Sequence, residues 1–210
     1  MNQPRRTLLG LAMVLGIPCL PLSRWEDEFA SVGHLVGYEL LWWALVAAVA
    51  VYVVRVEHRP LSSIGARPPG VRGVALGIAA GAVIVAVLAA IYELVFPALG
   101  LNEDSQIAQL FAAPAWWRAV SVVRAAVGEE VLFRGYAFER SYELSRSRAV
   151  AAAIPCAVFT LAHVGPWSWA HLIPAGAGGI LLTVLYLWRR NLWINIVAHC
   201  VVDGLAVLAG

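Results

Sequence analysis

Residues 74–99, VALGIAAGAVIVAVLAAIYELVFPAL, decide the fold class. Their one charged side chain is Glu93, and about 20 apolar residues suffice to cross a bilayer as a helix. In lipid the backbone must satisfy its own hydrogen bonds, which a helix does and an open strand does not. Working outward, apolar runs bounded by charge or by Gly and Pro recur at 7–22, 36–54, 116–138, 149–164, 169–188 and 192–209. The pattern predicts an all-α polytopic transmembrane helical bundle of about seven spans (six to eight), formed by residues 1–210 as a single integral membrane domain. The first run follows Arg5 and Arg6 as a signal peptide would. No small-x-small cleavage site comes after it, so it is read as a retained anchor.

Composition agrees with that reading. Of the 210 residues 61% are hydrophobic and 13% charged, where a soluble domain has about 45–50% and about 25%. A soluble globule is excluded, and so is a disordered chain, which needs the opposite balance. All 15 basic residues are arginine, which removes Schiff-base and P-loop lysine chemistry. With no room for a reading module, nucleic acid is excluded as a partner. Cys19, Cys156 and Cys200 have neither disulfide-framework nor zinc-ribbon spacing, and they read as small buried hydrophobes.

The arginines orient the chain. Arg5, Arg6, Arg55, Arg59, Arg67, Arg72, Arg140, Arg146, Arg148, Arg189 and Arg190 fall on one side of the predicted layout. Arg24, Arg118 and the acidic clusters 26–28 and 103–104 fall on the other. The positive-inside rule then predicts a multi-pass protein of the cytoplasmic membrane, with its N-terminus in the cytoplasm and its C-terminus outside. Tryptophans near the span ends read as interfacial belts. Gly73, Gly77 and Gly81 form a small-xxx-small ladder for close helix packing. Pro155, Pro174 and the glycines at 176, 178 and 179 suggest kinked helices beside an intramembrane polar cavity.

Ionisable groups within spans need a reason, since each costs about 2.5–3.5 kcal/mol on insertion scales. The fourth span holds Glu129, Glu130 and Arg134, and the fifth His163. The seventh carries Asn195, His199 and Asp203, spaced by four on one helix face. At a rise of about 1.5 Å per residue these groups share a level, so three helices can bring them to one cavity. Glu130 and Arg134 also suit a plain i, i+4 ion pair. Asn195 suits a structural hydrogen bond. No partner is evident for Arg124, Glu93 or His171.

Peptide hydrolysis needs an activated water, a base and donors for the oxyanion. Glu129 and His163 suit the first task, and His199 with Asp203 could face the carbonyl oxygen. No serine lies in a G-x-S-x-G context, against the serine class. A zinc version would use Glu129, His163 and His199 as ligands and Glu130 as base, although the H-E-x-x-H helix is absent. A proton-coupled transporter would also hold intramembrane acids, but the chain shows no internal repeat.

The motif E129-E-V-L-F-R134-G-Y136, then F159-xxx-H163, then the stretch from Gly178 through L185-Y-L187 and N191-L-W193 to H199-xxx-D203, resembles the three motifs of the CPBP family, the type II CAAX-processing and bacteriocin-processing Abi group. The resemblance covers about residues 115–205, taken as the catalytic core; residues 1–114 carry spans without a recognised motif. It implies an intramembrane endopeptidase acting on a membrane-associated protein or peptide. Glu129 and His163 would be the water-activating pair, His199 and Asp203 the oxyanion side, and Glu130 and Arg134 the supporting acid and arginine of the first motif. It also implies a choice between a metal-independent glutamate protease, favoured here with no cofactor, and a metalloprotease using zinc or another divalent metal. The prenyl-protein proteases carry an asparagine where this chain has Asp203, so a prenylated substrate does not follow. A non-catalytic immunity or scaffold protein binding a peptide in the cavity is the alternative.

Overall fold

The computed structural model describes residues 3–19, 32–101, 111, 113–164 and 168–208. The acidic clusters, Arg24 and the end of the first apolar run lie outside the described residues, as does Trp167. All regular secondary structure among the described residues is helical. Helix α1 spans Gln3–Gly16, α2 spans Val32–Val51, and α3 spans Gly70–Ala90. Helix α4 is continuous from Ala115–Glu129 through a wider π-helical stretch, Glu130–Ala137, into Phe138–Ser145. Helices α5 (Arg148–Ala162), α6 (Leu172–Arg189) and α7 (Leu192–Leu208) complete the set. The seven match the apolar runs of the sequence.

Length separates them. Val32–Val56, Gly70–Ala98 and Trp169–Arg189 are long and apolar enough to cross a membrane, whereas Arg148–Ala162 and Leu192–Val207 are apolar but shorter. Large apolar side chains stay exposed along their outer faces, among them Leu40, Val83, Leu94 and Ile180. Against water that surface would be unfavourable, and against acyl chains it is not.

Cross-contacts fix the direction of each helix. Arg6 at the start of α1 donates to the Val56 carbonyl beyond α2, so these two run antiparallel. Arg118 near the start of α4 donates to the Val207 carbonyl at the end of α7, and Glu130 meets His199, so α4 opposes α7. His163 stacks on His171 while Gly179 lies on Phe159, so α5 opposes α6. Helices α3 and α7, both odd-numbered, run parallel along a close seam. A Cβ at Gly77 would lie 2.8 Å from the Ile194 carbonyl oxygen, and one at Gly81 2.6 Å from that of Ala198. The glycine ladder read from the sequence is the groove into which α7 settles.

The arginine-rich ends gather at one end of the bundle, where a buried polar layer joins them. Arg140 donates to Glu57 Oε2 from Nε at 2.9 Å and from Nη2 at 2.6 Å, and Tyr136 donates to Oε1 of the same carboxylate at 2.7 Å. Arg190 and Tyr186 donate to Glu139 at 2.6 and 2.7 Å. The Leu192 amide donates to the Gly65 carbonyl, anchoring the start of α7 to the α2–α3 connection. Burial pushes the Glu139 carboxyl above its ordinary range, partly offset by these two donors.

Candidate functional site

Adjacent residues on an α-helix project about 100° apart, yet Glu129 and Glu130 both approach one imidazole. They sit where α4 widens into its π stretch, a local geometry frequent at functional sites. Glu130 is fully buried and is the hub. Its Oε1 accepts from Arg134 Nη1 at 2.8 Å and from His199 Nδ1 at 2.9 Å, and its Oε2 accepts from Asn195 Nδ2 at 3.2 Å. A carboxylate only accepts, so the His199 proton facing it lies on Nδ1. Three donors and a guanidinium offset the desolvation of a buried carboxylate.

The rest of the hub locks its orientation. Arg134 Nη2 donates to the Gly179 carbonyl on α6 at 2.9 Å, and its guanidinium lies 4.4 Å from the Phe159 ring centroid on α5. Asn195 Nδ2 also donates to the Leu182 carbonyl at 2.7 Å. A Cβ at Gly179 would come within 2.9 Å of the Phe159 ring, so α6 approaches α5 closely because position 179 has no side chain. Two backbone carbonyls thus serve the site, and side-chain patterns give no signal for either.

His199 Nε2 faces the other way. It lies 3.7 Å from Glu129 Oε2 and 3.5 Å from Asp203 Oδ2. The Glu129 and Asp203 side chains are each 27% exposed, against 0% for Glu130 and 2% for Arg134. The imidazole therefore divides the polar cluster into a sealed inner half and an accessible outer half. Of the seven residues singled out from the sequence, Glu129, Glu130, Arg134, Asn195, His199 and Asp203 form one connected group.

His163 stands one step away. Its Nδ1 lies 2.7 Å from the Phe159 carbonyl oxygen, which only accepts, so Nδ1 carries the proton and the neutral ring keeps a lone pair on Nε2. Its ring stacks on His171 at 6.0 Å and 18°. Among the described residues no hydrogen bond or ion pair joins it to Glu129 or His199. Phe159 provides the link, packing on His163 at 4.7 Å and beneath Arg134, and His163 lies within electrostatic reach of Asp203.

Among the described residues no three His, Cys, Asp or Glu side chains group to hold an ion. Glu130 is engaged by three donors, and both imidazoles donate from Nδ1 to protein oxygens, which leaves Nε2 as the ring nitrogen open to another partner.

Two of the three residues without an evident partner in the sequence find one. Arg124 Nε donates to Glu39 Oε1 at 3.0 Å, beneath Tyr38 and Trp42. His171 meets His163. The Glu39 partner lies 85 residues from Arg124, a separation that no local pattern reveals. Glu93 is exposed on the extension of α3.

The fold and this cluster define a helical membrane protein with a buried polar site between α4 and α7. Residues 111–205 match the family model for Type II CAAX prenyl endopeptidase Rce1-like proteins. The matched segment holds the motifs read from the sequence and supports the resemblance to the CPBP family. No curated protein and no solved structure matches the chain.

Proposed function

We propose that the protein is an intramembrane endopeptidase of the glutamate type that hydrolyses a peptide bond of a membrane-associated protein or peptide in the cytoplasmic membrane. The observation that carries this reading is the division of charge around His199: Glu130 holds Nδ1 from the sealed side, while Glu129 and Asp203 face Nε2 from the accessible side. In the reaction Glu129 and His163 Nε2 hold a water. Glu129 takes its proton as the oxygen attacks the scissile carbonyl, then returns that proton to the leaving amine. The tetrahedral oxyanion is held by His199, donating from Nε2 in its doubly protonated form, and by Asp203 in its protonated form. An ionised Asp203 would repel the oxyanion, so the proton on this carboxyl is part of the mechanism. Arg134 and Asn195 fix Glu130, and through it the ring.

Purified protein in detergent, assayed with a fluorogenic farnesylated CAAX peptide and its unprenylated twin, tests the reading. Cleavage of either that disappears in Glu129→Gln, with the thermal unfolding midpoint kept, supports it. Turnover retained in that variant overturns it. Stoichiometric zinc that tracks activity in elemental analysis overturns the metal-free step.

A further inference from the structure

We infer that α2 holds the reactive stretch of α4 in its widened register through one buried carboxylate at each end, which makes Glu39 and Glu57 positioning residues for the site. The first carboxylate is Glu39 on α2, which accepts from Arg124 Nε at 3.0 Å. The Glu39 side chain is 8% exposed and that of Arg124 14%, and the guanidinium lies against the rings of Tyr38 and Trp42, also on α2. The second is Glu57, which caps the π-helical turn Tyr52–Val56 that extends α2. It accepts from Tyr136 and from Arg140, and Arg140 Nη2 donates in addition to Ser63 Oγ at 2.9 Å. Between the two pairs the helices are in contact: a Cβ at Gly128 would lie 3.4 Å from Val46 Cγ2. Buried charges are costly to desolvate, so two such pairs along one pair of helices call for a use.

What the pairs enclose is the π stretch. Arg124 precedes Glu129 and the stretch Glu130–Ala137, Tyr136 lies at the end of that stretch, and Arg140 follows it. In an unbroken α-helix positions 124 and 140 would project roughly 160° apart around the axis, on nearly opposite faces. A π turn closes its hydrogen bonds one residue later and so turns less per residue, which brings Arg140 round toward the side where Arg124 meets α2. The dependence runs both ways. Rewinding the stretch into plain α geometry would swing one flank away from α2 and strand a buried arginine and its carboxylate, so the two pairs hold the wide turn open. That turn lets the neighbours Glu129 and Glu130 approach one imidazole. Glu39 and Glu57 thus act on the site through α4, from outside the matched residues 111–205.

The inference rests on the endopeptidase reading only for its effect on turnover, so its test reads the site as well as the reaction. Two variants are chosen to stay folded. Glu39→Leu/Arg124→Leu removes one pair whole and strands no charge, and Glu57→Asp keeps its charge on a side chain one methylene shorter. Ser147→Ala, which removes the side-chain cap of α5, controls for destabilisation alone. Isotope-labelled histidine in detergent micelles reports the Nδ1–H of His199 by nuclear magnetic resonance, assigned by its loss in His199→Gln, and the farnesylated CAAX peptide and its unprenylated twin report turnover. In both variants the His199 signal should shift or broaden, and kcat should fall about 10- to 10²-fold with KM changed by less than about 2-fold. The double variant should keep or raise its unfolding midpoint, whereas Ser147→Ala should lower the midpoint and leave the His199 signal and kcat as in the wild type. A His199 signal unchanged in either variant overturns the inference, and so does the same change in Ser147→Ala. Loss of fold in the double variant, where no charge is stranded, would make the pair plain scaffolding and also overturns it. A wild-type protein that cleaves neither peptide, with His199 responding as expected, would count against the endopeptidase reading and leave the positioning role standing.

Discussion

Glu129 and Glu130 are neighbours of the same chemical type, yet the structure assigns them opposite thermodynamic roles. Substituting Glu130→Gln removes the charge that balances Arg134 within a pocket where both side chains are at most 2% exposed. It also deprives His199 Nδ1 of its carboxylate. The guanidinium it leaves behind already has one buried nitrogen, Nε, without a partner. Breaking one side of a buried, hydrogen-bonded pair costs about 3–5 kcal/mol. For a chain of this size 1 kcal/mol moves the unfolding midpoint by about 2–4 °C, so a fall of about 6–20 °C is expected. Glu129→Gln removes a partly exposed carboxylate whose nearest charged atom is 3.7 Å away. Such pairs contribute about 0–1 kcal/mol, and the midpoint should move by less than about 4 °C. Intrinsic tryptophan fluorescence during heating in detergent micelles reads both, since nine tryptophans are spread through the chain. Equal destabilisation by the two variants would refute this division of labour, and so would a Glu130→Gln protein as stable as the wild type.

Three further outcomes are expected. Gly81→Ala puts a Cβ 2.6 Å from the Ala198 carbonyl, about 0.8 Å short of the 3.4 Å at which ordinary contact begins. The resulting shift of α7 should lower kcat by up to about 10²-fold through misplacement of His199, while Gly37→Ala, where a Cβ meets nothing within 4 Å, should leave cleavage unchanged. Gly179→Ala pushes the Phe159 ring, 2.9 Å away, from its place beneath Arg134; the unfolding midpoint should fall, and a Phe159→Leu partner substitution should recover part of the loss. At the arginine-rich end, the hydrogen bond from Arg59 at 2.6 Å holds the Glu143 carboxyl below its ordinary range. A depressed acid contributes stability above its unfolded pKa, so the midpoint difference between wild type and Arg59→Ala should be full at pH 7 and shrink as pH falls below about 4.3; a difference that grows on acidification would contradict the pairing.

How much of this was legible in the sequence depends on the range of each interaction. Apolar runs announce helices because the signal is carried by every residue, and the Glu130–Arg134 pair announces itself through its spacing of four. The seam at Gly73, Gly77 and Gly81 was legible as a seam, but its partner α7 was not, because nothing local identifies what fills a groove. Glu57 is an acid just past an apolar run, indistinguishable by pattern from a solvated loop residue, and only the fold shows it nearly fully buried against Arg140. The separate tasks of Glu129 and Glu130 depend on a widened helical turn and on the carbonyls of Gly179 and Leu182. Those are backbone features, to which residue identity is nearly silent.

The seam between α3 and α7 also bears on modularity. The family match begins at residue 111, yet the helix carrying His199 and Asp203 is seated on carbonyl-to-glycine contacts supplied from residues 73–81. The portion of the chain with recognised motifs is therefore not a self-sufficient structural unit. Its last helix borrows its footing from a part of the chain that matches no motif, and a graft of the motif-bearing half onto other spans would carry over the reactive side chains without the surface that holds them in register.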